Sequence, residues 1–312
     1  MVINMIRLGV IGTGNIGKRH IQSALDIEDI EIFAFDSYKD SLVSLEAFLK
    51  TLNLNSEKKV VIKENYHTFL ESISEDSIII ISTTAKDRVK LAIDILNKKP
   101  KAIILEKPVC QNAKEYLRLL KNSRTQMYVN FPRCSYNFYR EIKDLVNQNV
   151  EEIKIVLSQN GISTNGIHMF DLIFWLLEKN EYVLGQSEIF SNYETKRKGF
   201  FDFSGSIDFR VGKTKCSFLD NPFNCQEIIQ IFTRKNIISI YEHNLKAVVS
   251  SRDNLKVIDF KLPFQSNLTS ILLQQIDNSI EVFIPDIRKC LTSHSLLFEV
   301  MDKHNLSNLN IT

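Results

Sequence analysis

Long apolar runs are missing from this chain of 312 residues, and so is any surplus of charge. No window is long and apolar enough to cross a bilayer, because the densest apolar stretch, 167–177, is interrupted by His168 and Asp171. Lysine and arginine number 39 against 37 aspartates and glutamates, so a net charge of +2 provides no electrostatic footprint for nucleic acid or an anionic membrane. The five cysteines (Cys110, Cys134, Cys216, Cys225 and Cys290) are odd in number and scattered, with no Cys-x-x-Cys pair. That usage fits reduced thiols and argues against a structural zinc site, and no metal is assigned. There is also no HExxH, no Walker sequence, no Ser/His/Asp nucleophile spacing, no internal repeat and no low-complexity tract. The opening MVINMIRLGV runs straight into a strand pattern, without a charged segment leading to a long apolar one. The expectation is a cytoplasmic protein that keeps clear of membranes and nucleic acid.

What is present divides in two, as the length allows. Up to residue 130, short apolar runs at 5–11, 30–36, 59–63, 77–82, 101–105 and 126–130 alternate with helical patterns at 16–26, 40–52, 66–72, 85–97 and 111–122. Such alternation predicts βαβ units in a parallel, doubly wound sheet, and the unbroken run Ile78 to Ile81 suits a strand covered on both faces. After Pro132 the pattern changes to a helix at 135–147, a strand at 151–157 and a nearly all-apolar helix at 166–178. From 183 to 260 the texture is antiparallel. Phe201, Phe203, Ile207, Phe209 and Val211 alternate with Asp202, Ser204, Ser206, Asp208 and Arg210, as in a sheet with one wet face. Hairpin turns are expected at 211–213 and 233–236, and helices at 266–280 and at 286–303, the latter opening behind Pro285. The reading is an α/β protein: a dinucleotide-type domain over 1–130, then an α+β domain over 131–312 with a large, mainly antiparallel open sheet, its terminal helices free to pack back on the first domain.

Three signals carry chemistry. The first is the strand 5–11 running into Gly12-x-Gly14-x-x-Gly17, followed by a helical pattern and a second strand ending in Asp36, 19 residues beyond Gly17. Such a turn lets backbone approach a pyrophosphate, aims a helix N-terminus at its charge, and sets a carboxylate where a ribose hydroxyl would lie. Without those neighbours the same glycines would read as a turn that binds nothing. The second is Glu106-Lys107-Pro108, behind the strand 101–105 and therefore at the carboxyl end of a parallel strand, where open α/β sheets bind ligands. Proline restricts Lys107 to extended backbone, and an ammonium fixed there could donate to a substrate oxygen; a solvated lysine in a turn is the other reading. The third is Gly166-Ile-His168-Met-Phe-Asp171, whose His168 and Asp171 share one face of an apolar helix. An imidazole there suits acid–base work on an alcohol, whereas a buried pair that merely fixes the helix fits the spacing equally.

In this order the three signals resemble the glucose–fructose oxidoreductase and inositol dehydrogenase (Gfo/Idh/MocA) family over essentially the whole chain. The resemblance implies a Rossmann domain and an NAD(P)-dependent oxidoreductase that moves a hydride between nicotinamide and a ring carbon of a sugar, nucleotide-linked sugar or cyclic polyol. It implies Gly12, Thr13, Gly14, Asn15, Ile16 and Gly17 around the pyrophosphate and Asp36 on the adenosine ribose. Thr83 and Thr84 stand where the family has Thr-Pro, and Glu106 and Lys107 line the nicotinamide. Lys107 and His168 are the expected catalytic pair, with Asp171 orienting His168 or reaching the cofactor ribose. Three positions depart from the family: Thr164, followed by Asn165, replaces an aspartate four residues before the motif histidine; Arg88 replaces a histidine; and Arg133 lies in a loose match to an arginine-bearing pattern. Thr164, Asn165 and Arg133 are carried as substrate contacts. Because Thr164 cannot hold a carboxylate charge, a dinucleotide-binding sensor or partner protein is the alternative on the same fold. Asp36, with only Lys39 nearby as a cation, favours NAD over NADP. A homodimer or homotetramer joined through the open sheet is expected, since a long Phe-bearing sheet face invites a partner.

Overall fold

The computed structural model describes residues 5–52, 60–146, 149–264 and 267–312; the expected element ends at Lys59, Asn147 and Ser266 lie outside these ranges. The chain forms two compact units. One comprises the residues up to Cys110 with Lys114–Asn130 and Pro263–Ile287, the other Gln111–Ala113, Phe131–Leu262 and Arg288–Thr312.

The first unit runs β1 (Ile6–Ile11), α1 (Asn15–Ala24), β2 (Ile30–Phe35), α2 (Lys39–Lys50), β3 (Val60–Ile62), α3 (Tyr66–Glu71), β4 (Ser77–Ile81), α4 (Arg88–Leu96), β5 (Ala102–Leu105), α5 (Ala113–Asn122) and β6 (Gln126–Val129). All strand pairs of this sheet are parallel, in the order β3-β2-β1-β4-β5-β6. That is the doubly wound Rossmann order, which reverses direction between β1 and β4. Every residue of β4 and β5 is buried, because helices cover both faces of these central strands. The register ends the strands level: Ile11 lies opposite Phe35 and Ile81, and Ile81 opposite Leu105. Gly12, Asp36, Ser82, Glu106 and Asn130 therefore form one carboxyl edge, beside the point where the winding reverses.

The second unit runs α6 (Asn137–Val146), β7 (Val150–Ser158), a π-turn at Ile162–Gly166, α7 (Ile167–Leu177), β8 (Val183–Glu194), β9 (Phe201–Val211), β10 (Thr214–Asn221), β11 (Ile228–Thr233), β12 (Ile237–Tyr241), β13 (Lys246–Ser250) and β14 (Leu255–Asp259). These strands form an eight-stranded sheet ordered β14-β13-β12-β11-β7-β10-β9-β8, antiparallel except where β7 and β10 pair. Phe209 and Phe218 pack edge-on or tilted against Phe170 and Phe174, so α7 covers one face of the sheet.

Two details depart from the sequence reading. Alternation holds from Ser206 to Val211 but not before it, because Asp202 and Ser204 are buried. The Asp202 carboxylate accepts the N–H groups of Ser163, Thr164 and Phe203, and Ser204 hydrogen-bonds Ser191, so these polar residues find partners other than water. The final helix does not open behind Pro285. Pro285 accepts a hydrogen bond from Val129, and Asp286 bridges to Tyr128, which extends the edge of the first sheet. After this edge comes α9 (Leu291–Lys303), which belongs to the second unit, whereas the preceding α8 (Thr269–Asp277) belongs to the first. There Leu272, Leu273 and Ile276 join Ile21, Ala24 and Ile104 in one core.

Removing three carbons from a fully enclosed β4 residue measures this packing. Ile80→Ala should destabilise the protein by about 2–5 kcal/mol, read as a lower urea midpoint by far-UV circular dichroism. A cost below about 1 kcal/mol would mean that the sheet is not covered on both faces.

Candidate active site

The first unit brings its predicted residues to one edge. Gly12 has φ +93°, and a Cβ there would meet the backbone of Ser82 and Thr83 at 2.7 Å, so only glycine allows β1 to turn this close to β4. A Cβ on Gly17 would overlap the Gly12 carbonyl oxygen, which is how α1 closes onto the strand end. Gly14 differs, since a Cβ there would have no heavy atom within 4 Å. Its open side lies at the N-terminus of the ten-residue α1, whose first turn carries no acidic side chain and exposes Asn15 and Ile16. A pyrophosphate fits this cradle, with the helix dipole and backbone N–H groups supplying the attraction.

Asp36 is fixed beside it. Its Oδ2 accepts from the Thr13 N–H at 2.7 Å and from the Thr13 hydroxyl at 3.3 Å, and its Oδ1 accepts from the Tyr38 N–H at 2.9 Å. Thr13 is thus buried and orients the carboxylate, which keeps acceptor capacity for a ribose hydroxyl. Thr83 and Thr84 follow β4, both half-buried. Lys107 is half-buried behind β5 and joined to Pro108 by a cis peptide bond.

Glu106, expected to line the nicotinamide, has its carboxylate turned into the unit. Its Oε1 accepts from Asn130 Nδ2 at 2.5 Å and from His20 Nε2 at 3.0 Å, while His20 Nδ1 meets the Thr269 hydroxyl at 2.8 Å. Burial raises the Glu106 carboxyl pKa, but the hydrogen bond and charge of His20, then Asn130 and Lys107, outweigh it and hold the group below the usual carboxylate range. Neither His20 nor Asn130 was among the expected residues. His20 could have been found by phase, because it lies on the same inward face of α1 as Gly17 and Ala24.

In the second unit, His168 sits half-buried in the first turn of α7, edge-to-face with Phe131 at 5.3 Å between centroids. Asp171, one turn on, is buried, and burial pushes its carboxyl up to about 8 against the lowering effects of a hydrogen bond with the Cys290 thiol and the charge of Arg133. At neutral pH it is therefore mainly the neutral acid, able to donate a hydrogen bond but a poor charge partner for an imidazolium. Arg133 makes a two-pronged pair with Glu242, Nε to Oε1 at 2.9 Å and Nη2 to Oε2 at 2.7 Å, and the Tyr139 hydroxyl donates to the same carboxylate at 2.5 Å. This commits the guanidinium within its own unit. The backbone of Thr164 is held by Asp202, and Asn165 Nδ2 donates to the Asn160 carbonyl at 2.8 Å, bracing the π-turn. Asp220 completes that brace by accepting from the Asn160 and Gly161 N–H groups, each at 3.0 Å. Among the described residues, no cluster of three or more His, Cys, Asp or Glu could hold a metal ion, and no helix is long and apolar enough to cross a membrane.

Comparison with known proteins finds the same fold. Residues 6–131 match the model of the oxidoreductase family, NAD-binding Rossmann fold (GFO_IDH_MocA). A "Glycosyl hydrolase family 109 protein" of Solibacter usitatus (strain Ellin6076) is 25% identical over 138 residues, 43% of this chain and 31% of that protein. The chain thus spans about a third of the length of this curated relative. Among solved structures, UDP-N-acetylglucosamine 3-dehydrogenase GnnA from Acidithiobacillus ferrooxidans superposes with a TM-score of 0.78 at 14% identity, over 98% of this chain and 100% of that one. The K102A mutant of KijD10, a 3-ketoreductase from Actinomadura kijaniata in complex with TDP-benzene and NADP, superposes with a TM-score of 0.71 at 13% identity, over 94% and 96%. At these identities the likeness is one of fold.

The raised Asp171 carboxyl predicts a pH dependence. Between about pH 4, where an unfolded aspartate loses its proton, and about pH 8, where the folded one does, the folded state binds more protons. The contribution of Asp171 to stability therefore falls as pH rises through that window. The sole tryptophan, Trp175 on α7, reports the second unit. Its thermal midpoint should fall more steeply from pH 5 to pH 8 in the native protein than in Asp171→Asn, and equal slopes would contradict the assignment.

Proposed function

We propose that this protein, whose residues 6–131 match the model of the NAD-binding Rossmann oxidoreductase family, is an NAD-dependent dehydrogenase or reductase acting on a ring hydroxyl or ketone of a sugar or nucleotide-linked sugar. The observation that carries the reading is the open side of Gly14 at the N-terminus of α1, with the oriented Asp36 carboxylate beside it. The nicotinamide, when bound, supplies the site that accepts or returns the hydride. Gly12, Gly14, Asn15, Ile16 and Gly17 hold the pyrophosphate, and Asp36 accepts from the adenosine ribose. Thr83 and Thr84 border the nicotinamide half. Lys107 donates from its ammonium to the substrate oxygen and stabilises charge that grows there, and His168 takes or returns the hydroxyl proton. Asp171 acts as a neutral hydrogen-bonding group on the same helix face. The sugar class rests on the fold shared with sugar-nucleotide enzymes, not on a cluster of cations that would bind a diphosphate.

Asp36 sets the cofactor. A carboxylate already oriented by two backbone N–H groups repels a 2′-phosphate and accepts from a 2′-hydroxyl. Fluorescence titration should show NADH binding more tightly than NADPH, with the preference shrinking in Asp36→Ala. Tighter NADPH binding by the native protein would reverse the assignment.

Turnover is tested by following absorbance at 340 nm across a panel of sugars and nucleotide sugars. On a competent substrate, Lys107→Ala and His168→Ala should each lower kcat by about 10²–10⁴-fold, with NADH affinity nearly unchanged. Cofactor binding without turnover on any member would favour a dinucleotide-binding sensor. For the open sheet, light scattering should give twice or four times the chain mass. A monomer would leave Val183 and Phe190 on β8 and Leu255 and Val257 on β14 exposed to water.

A further inference from the structure

Arg88 opens α4 with its side chain almost wholly buried. Its Nη1 donates to two carbonyl oxygens, those of Glu106 and Pro108, and its Nη2 donates to the carbonyl of Thr83. The three acceptors come from two loops, one leaving β4 and one leaving β5. Two of them belong to the residues immediately before and after Lys107, so a single nitrogen holds the backbone on both sides of that lysine. The same guanidinium ties this segment to the loop of Thr83 and Thr84.

The chemistry selects arginine. At the ends of parallel strands, carbonyl groups run out of ladder partners, and several pointing to one spot repel each other unless a donor sits between them. A guanidinium offers five N–H donors in a fixed planar fork and stays charged at every accessible pH. An imidazole has two ring nitrogens and could meet at most two of the three oxygens. An ammonium has three donors, but they diverge from one point on a flexible stem and cannot reproduce the fork.

We propose that Arg88 is a positioning residue for Lys107: by binding the carbonyls of Glu106 and Pro108 on one side and Thr83 on the other, it sets the backbone from which the ammonium reaches the substrate. This rests on the reading of Lys107 as the group that polarises the substrate oxygen. Arg88 touches neither substrate nor cofactor in this account. Its effect passes through the geometry of the 106–108 segment, where a displacement of about 1 Å is enough to cost about a hundredfold in rate.

The test is a double-mutant cycle of Arg88→Lys and Lys107→Ala on the competent substrate, joined to hydrogen exchange of the peptide spanning 103–112. Arg88→Lys should lower kcat by about ten- to a hundredfold, change the NADH dissociation constant less than about threefold, and speed amide exchange at Lys107 and Val109. In the Lys107→Ala background the same change should cost almost nothing further, because there is no ammonium left to misplace. Guanidinium added to Arg88→Ala should restore part of kcat, and retained NADH binding in that variant shows that the unit is folded. If Lys107→Ala turns over like the native protein, the reading of Lys107 fails whatever Arg88 does. If Lys107→Ala is impaired while Arg88→Lys is not, or if Arg88→Lys costs the same in both backgrounds, the Arg88 proposal fails and the Lys107 reading stands. Should no panel member turn over, unchanged exchange at 103–112 in Arg88→Lys overturns the proposal, and faster exchange confined there supports it.

Discussion

The ladder between β1 and β4 governs the site. It ends level at Ile11 and Ile81, and the next residues hold each other directly: the Ser82 N–H donates to the Ile11 carbonyl at 2.9 Å and the Ser82 hydroxyl to the Gly12 carbonyl at 2.6 Å. These bonds fix the glycine turn against the loop of Thr83 and Thr84. Since β2 and β5 end in step with the same two strands, Asp36 and Lys107 inherit their places from this register. A slip of one residue would reverse every side chain and separate the carboxylate from the turn it flanks.

Buried polar groups are the cost of this arrangement, and the acids around the site meet it by accepting several hydrogen bonds each. Leaving one such group unpaired costs about 1–3 kcal/mol. Asp36, Glu106 and Asp202 each accept two or more hydrogen bonds, and Glu242 takes both prongs of Arg133 plus the Tyr139 hydroxyl. Glu106, Asp202 and Glu242 point into the fold that holds the site and act as braces, whereas the half-buried Asp36 is fixed in place and keeps an open acceptor side. Asp202 and Asp220 do the same for the π-turn before His168, occupying the N–H groups where a helix has not yet begun to pair its own.

Much of this was legible beforehand, for identifiable reasons. Runs such as Ser77–Ile81 point to a doubly covered strand because they are short, β-branched and apolar at consecutive positions. Glycine, acid and lysine motifs mark strand ends because backbone sterics and charge restrict what can stand there. The directions of the polar side chains were not legible. Glu106 sits next to Lys107 in sequence yet faces the interior, because His20 and Asn130, 86 and 24 residues away, draw it inward. Arg133 could not be assigned from its own neighbourhood, since its partner Glu242 lies 109 residues further along. Arg88 left one clue, an arginine in phase with the buried Ala85, Ala92 and Ile95, where an apolar residue was due.

The chain order of the first unit has a consequence for biosynthesis. Its α8 and the edge formed by Pro285 and Asp286 are encoded after the entire antiparallel sheet of the second unit. As the polypeptide leaves the ribosome, the parallel sheet emerges before the antiparallel one, with the core surface destined for Leu272, Leu273 and Ile276 uncovered and His20 still lacking Thr269. That surface stays exposed until more than a hundred further residues have been translated. The parallel sheet is thus made before the antiparallel one yet sealed after it, and in that interval its uncovered apolar surface is a place where aggregation can start.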